Sequence, residues 1–284
     1  MLDATVLQFL AAPFVASLII AGIHAYLGVH VVERGVIFVD LSLAQIAALG
    51  SAIALLLPID ADPHGALVYW ISVGSTLVGA AIFSTIRGRR ARIPQEAIIG
   101  IAYAVASAGT ILAMSKATAE SEHLKDMLVG NILAVSWPEV GVTAALYAVI
   151  GVFHFVFRKK FLEISMNHDR AEMNVRQVRL WDFLFYASFG FVVTRSVSIA
   201  GVLLVFCYLI VPSVAAILYS EHIGRRLAIG WTMGTVVSAL GIYLSVKLDL
   251  PTGATMVCTF GLVLILMAAA RPLFRNGAGR APIG

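Results

Sequence analysis

Residues 197–219 read VSIAGVLLVFCYLIVPSVAAILY, an apolar stretch without one acidic or basic side chain. A helix needs about 20 such residues to cross the hydrocarbon core of a bilayer. Working outward, further apolar runs occupy 6–32, 36–57, 66–86, 97–115, 140–157 and 180–194 before it, and 227–246 and 254–270 after it. Nine candidate crossings therefore take up most of the 284 residues. The composition agrees, with 60% of residues hydrophobic and 13% charged and a mean hydropathy of +0.92, values that do not suit a water-facing surface. The expected fold class is all-α: a polytopic membrane helix bundle, one transmembrane domain over residues 1–284. The first run has no basic leader and carries Asp3, so it reads as a retained crossing rather than a signal peptide.

Twenty Lys and Arg against sixteen Asp and Glu give a net charge of +4. The basic residues sit in short clusters between apolar runs, a pattern that fits a lipid surface and not nucleic acid. Alternating the connections between the two sides of a membrane, with the 87–92 cluster inside, leaves only Lys116, Lys125, Arg195 and Lys247 outside. That asymmetry follows the positive-inside rule and places the amino terminus outside and the carboxyl terminus in the cytosol. The tight Glu33-Arg34-Gly35 connection is the one point where a re-entrant turn would reduce nine crossings to eight. The outer connections carry Asp60, Asp62, Glu120, Glu122, Asp126, Glu139 and Asp249. Two readings stand: an acidic outer face that concentrates cations, or the remainder the positive-inside rule leaves there.

Enzymatic motifs are missing. None of the five lysines follows a glycine, which excludes the GxxxxGK[ST] phosphate loop, and there is no HExxH, GxSxG or GxGxxG. Cys207 and Cys258 lie inside apolar runs and form no CxxC pair or disulfide framework. The polar stretches 116–139 and 158–179 are too short for a core of their own.

A charge inside hydrocarbon costs several kcal/mol, roughly 2.5–3.5 at a helix centre, so each needs a partner, a cavity or a task. Asp40, within VIFVDLSLAQIAALG, is the sharpest case. On a regular helix Ser42 lies about 200° and Gln45 about 140° round from it, so the three share no stripe unless a turn unwinds. Asp40 either works in a pathway or, near the interface, caps its helix or pairs with Arg34. Glu96, after Pro94, suits the positive end of its own helix, and Asp182 reads the same way. His24, His30 and His154 read as hydrogen-bonded packing residues, and Cys207, Met233 and Met256 as core filling. Pro212 frees a carbonyl one turn earlier, which predicts a kink or break near the middle of its helix. Asp249-Leu250-Pro251-Thr252-Gly253 forms a turn before the last crossing.

The strings ERGVIFVDLSLAQIAALG, SIAGVLLVFCYLIVPSVAAILYS and DLPTGATMVCTFG, in this order, resemble the permease family of ABC importers for divalent metals such as zinc, manganese and iron. The likeness covers nearly the whole chain, and the late pair also resembles, more distantly, permeases for vitamin B12 and iron siderophores. The resemblance implies a permease homodimer in the bacterial cytoplasmic (inner) membrane around a central pathway. Cytosolic ATP-binding cassette subunits would consume the ATP, and an extracytoplasmic binding protein would deliver the metal. The chain itself would bind no cofactor, and the divalent metal would be substrate. It implies further that residues 158–180, with Asn167, Asp169, Ala171 and Met173, form the cytosolic loop that docks the ATPase.

The family carries an aspartate followed four residues later by a histidine, a pair held to line the metal path. Here Gln45 stands where the histidine is expected, Asp40 precedes it by five residues, and Ala44 offers no ligand. The resemblance thus implies Asp40, with Gln45, as the oxygen ligands of the path. A carboxylate beside an amide oxygen is a harder donor set than imidazole and suits manganese or magnesium better. Competing readings are a permease for metal chelates, a proton-coupled secondary transporter in which Asp40 or Glu96 titrates, and a membrane anchor without transport.

Overall fold

A computed structural model describes residues 4–57, 65–86, 94–115, 130–166 and 175–275. These contain α1 (Ala4–Arg34), α2 (Val39–Leu56), α3 (Ala66–Ile86), α4 (Gln95–Met114), α5 (Trp137–Val156), α6 (Arg158–Met166), α7 (Val175–Ala200), α8 (Val202–Tyr219), α9 (Ile223–Leu248) and α10 (Thr252–Arg275). A short 3-10 turn spans Ile132–Ala134, and no strand occurs among the described residues. Of these helices all but α6 are long and apolar enough to cross a membrane, nine candidates among the described residues.

Gly35 decides the doubtful connection. Its φ is +66°, its N–H donates to the Val32 carbonyl at 3.0 Å, and the Val36 N–H donates to the Val31 carbonyl at 3.2 Å. Those paired bonds terminate a helix at a left-handed residue, for which glycine is the least strained choice. Val36 then enters the core, and α2 starts at Val39 as a helix of its own.

Two expectations change. The charge of Arg195 suggests the end of a crossing, but α7 runs on to Ala200 and breaks at Gly201, whose φ is +76°. Arg195 stays in the helix because α5 supplies acceptors, the Thr143 hydroxyl at 3.0 Å and the Glu139 carbonyl at 3.3 Å. Pro212 does not interrupt α8, which is helical from Val202 to Tyr219. Within 158–179 the described residues are helical: α6 buries Phe161, Ile164 and Ser165 while exposing Arg158, Lys159 and Lys160, and α7 begins at Val175.

The helices pack in two groups. In one, α2 lies against α3 and α4, and α3 against α7; in the other, α1 lies against α8 and α9, with α10 closing on both. Contacts of α1 with α5, α2 with α7 and α7 with α8 join them. Small residues permit the closest approaches, since a Cβ added to Gly28 would collide with the Leu209 carbonyl oxygen. The crossing in α1 is 67% buried, against 22% for those in α4 and α10. The outer faces of α4 and α10 carry Ile101, Val105, Leu112, Leu262 and Ile265, side chains suited to lipid.

Candidate functional site

The first turn of α2 is held from another helix. Phe38 precedes it without a capping side chain, and its backbone N–H donates to Oε1 of Glu96 on α4 at 3.1 Å. A carboxylate there meets the unsatisfied N–H groups and the positive end of the helix dipole. Glu96 lies in the first turn of α4, as its place after Pro94 suggests, and it also serves the start of α2. The second role reflects the packing of α2 on α4, which spacing along the chain does not display.

Asp40 sits in that turn, 1% exposed, and its Oδ1 has no hydrogen-bond partner. Ser42 is fully buried with its hydroxyl likewise unpartnered, and Gln45 is buried one turn further on. No unwound turn gathers the three: α2 is regular, with the Ser42 N–H donating to the Phe38 carbonyl at 3.0 Å. Asp40 makes no ion pair among the described residues. Beside this part of the bundle α2 also packs on α8, the helix that carries Cys207. Tyr147 on α5 is committed to α7, donating to the Val192 carbonyl at 3.1 Å and hydrogen-bonding Ser196.

A second polar group lies at the end of α1, and it is well supplied with partners. Arg34 Nη1 meets Asp182 Oδ1 at 2.8 Å with both side chains fully buried. Its Nε donates to the Ser165 hydroxyl at 2.9 Å, and its guanidinium lies 3.9 Å from the Phe185 ring centre. The Ser165 hydroxyl also bonds His30 Nδ1 at 2.8 Å. Next to this, Arg226 pairs with Glu33 and donates to the Ser220 carbonyl at 2.8 Å. Asp182 is thus an ion-pair partner and no helix cap, because α7 has already started at Val175. The clue in the sequence is charge balance, for a buried arginine and a buried aspartate in different crossings are each other's most economical partners.

The histidines pack. His154 bonds Ser188 through Nε2 at 2.8 Å and stacks on Phe161 at 4.3 Å, and His24 Nδ1 bonds the Ile20 carbonyl at 2.9 Å. Among the described residues no three His, Cys, Asp or Glu side chains form a set that would hold a metal ion. Asn167, Asp169, Ala171 and Met173 lie outside the described residues.

The chemistry on offer at α2 is one carboxylate in a low-dielectric bundle with an oxygen still seeking a donor or a cation. A multi-pass helical membrane protein with such a group is of the transporter class. Residues 6–271 match the ABC 3 transport family, and the chain belongs to that family. The manganese transport system membrane protein MntC of Listeria innocua is 22% identical over 258 residues, 91% of this chain and 89% of that protein. The chelated iron transport system membrane protein YfeC of Yersinia pestis is 27% identical over 203 residues, 70% of this chain and 68% of that one. In fold the chain is similar to the solved structure of PsaBC from Streptococcus pneumoniae in complex with Fab, with a TM-score of 0.74, 22% identity, and coverage of 92% of this chain and 91% of that one.

Proposed function

We propose that this chain is the permease subunit of an ATP-driven importer that carries divalent metal ions across the bacterial cytoplasmic membrane. The observation that carries the reading is Asp40, a buried carboxylate with an unpartnered oxygen at the start of α2, inside a fold that belongs to the ABC 3 transport family. The names of its relatives, manganese permeases among them, support a divalent ion as substrate. Two copies of the chain surround the path, cytosolic ATPase subunits supply the energy, and an extracytoplasmic protein delivers the ion. Residues 158–180, with Asn167, Asp169, Ala171 and Met173, dock the ATPase.

In this reading Asp40 offers a carboxylate oxygen to an ion shedding part of its hydration shell, and Gln45 offers an amide oxygen one turn further on. Oxygen donors suit a hard divalent ion. A pathway must also release what it binds, so transient contact with few ligands serves conduction better than a closed cage. Import of a metal chelate is the second reading, favoured by the likeness to YfeC, whose name specifies chelated iron. Uptake of manganese, zinc and iron(II) into vesicles holding the permease with its ATPase and binding protein separates the two. The proposal expects free ions to enter in an ATP-dependent manner. Uptake of a chelate that excess free metal does not compete would favour the second reading, and uptake indifferent to ATP would overturn both.

A further inference from the structure

We infer that Ser165, through Arg34, is the positioning joint by which movement of the cytosolic loop is passed to the turn carrying Asp40. The inference rests on the proposed function.

The geometry is a short chain of buried bonds. Ser165 stands on the last turn of α6, one residue before its end at Met166, and the chain then runs into the stretch proposed to dock the ATPase. Its side chain is 2% exposed and makes two bonds to α1, from Arg34 Nε at 2.9 Å and with His30 Nδ1 at 2.8 Å. Phe161 and Ile164 fix α6 on the same side, both fully buried. Arg34 in turn holds Asp182 of α7 at 2.8 Å. One guanidinium therefore fastens α1, α6 and α7 together.

The position of Arg34 at the end of its helix gives the joint its consequence. Arg34 is the last residue of α1 and is succeeded at once by the hydrogen-bonded turn of Gly35 and Val36. The first turn of α2, with Asp40, begins three residues after Val36, at Val39. Hydrogen bonds from the N–H groups of Gly35, Val36 and Val39 restrain the backbone between Arg34 and Asp40 along this route. A shift of α6 toward or away from α1 has to move Arg34, and Arg34 has to move the turn. Packed interiors respond to such displacement by stepping between arrangements rather than by deforming smoothly.

Removing the Ser165 hydroxyl deletes both bonds to α1 while leaving the Arg34 to Asp182 pair in place. A hydrogen bond to a charged group shifts an equilibrium by about tenfold or more. The permease carrying Ser165→Ala, assembled with its ATPase and binding protein in proteoliposomes, is therefore expected to import about tenfold less manganese per ATP hydrolysed. Ser165→Thr, which keeps the hydroxyl, is expected to restore the ratio. Should Ser165→Ala fail to assemble, Arg34→Lys, which keeps the charge but loses the Nε donor, reads the same ratio and is expected to lower it. An unmodified ratio in Ser165→Ala or in an assembled Arg34→Lys, or a parallel fall in hydrolysis and import, overturns the joint. Absence of ATP-dependent uptake of manganese, zinc and iron(II) alike by the unmodified complex instead overturns the proposed function, which keeps the two failures apart.

Discussion

Two buried aspartates stand near the same end of the bundle and lead opposite lives. Asp182 meets a guanidinium at 2.8 Å with both side chains out of water, and the Ser165 hydroxyl and the Phe185 ring complete the surroundings of Arg34. Asp40 has no ion pair among the described residues and an oxygen without a partner. Both carboxylates cost free energy to bury; Asp182 is compensated by an ion pair, Asp40 only by its place in the first turn of α2. The contrast separates a charge kept for architecture from a charge kept open for something that passes.

If the contrast is real, removing each acid should act on a different property. Asp182→Ala takes the carboxylate from a buried guanidinium, a change that destabilises by about 3–5 kcal/mol. Thermal unfolding of the detergent-purified permease should show a large drop in midpoint. A midpoint close to that of the unmodified protein would mean that the pair is not structural and would erase half of the comparison.

Glu96 sharpens the comparison from the other side. It touches the α2 turn through the Phe38 N–H, so Glu96→Gln keeps an acceptor and loses the charge at the helix start. That interaction is worth about 0.3–1 kcal/mol. A small fall in thermal midpoint and a partial loss of metal uptake are expected. Loss of uptake as complete as from a change at Asp40 would make Glu96 part of the path itself.

The legible part of this molecule is what depends on near neighbours in the chain. Hydropathy gives nine crossings because each helix in lipid must be apolar over its own length, and Gly35 marks the end of α1 because a left-handed residue is a local need. Arg195 misleads for the complementary reason. Its acceptors, Thr143 and Glu139, lie far back in the sequence, and a charge with a distant partner looks like the end of a crossing. The pairing of Arg34 with Asp182 and the reach of Glu96 to α2 are hidden in the same way. Asp40 is legible as a candidate because the cost of an intramembrane carboxylate is a property of one residue. That its oxygen stays unpartnered emerges only from the packing.

The central claim is that Asp40 is kept for the ion and not for the fold. Asp40→Asn, nearly the same shape without the charge, tests it in one preparation by measuring thermal midpoint and ATP-driven manganese uptake on the same reconstituted complex. Relief of an incompletely compensated buried carboxylate should leave the midpoint unchanged or raise it, while uptake falls to the level of vesicles without ATP. Uptake at the unmodified rate, or a collapse of the fold that accounts for its loss, would contradict the claim.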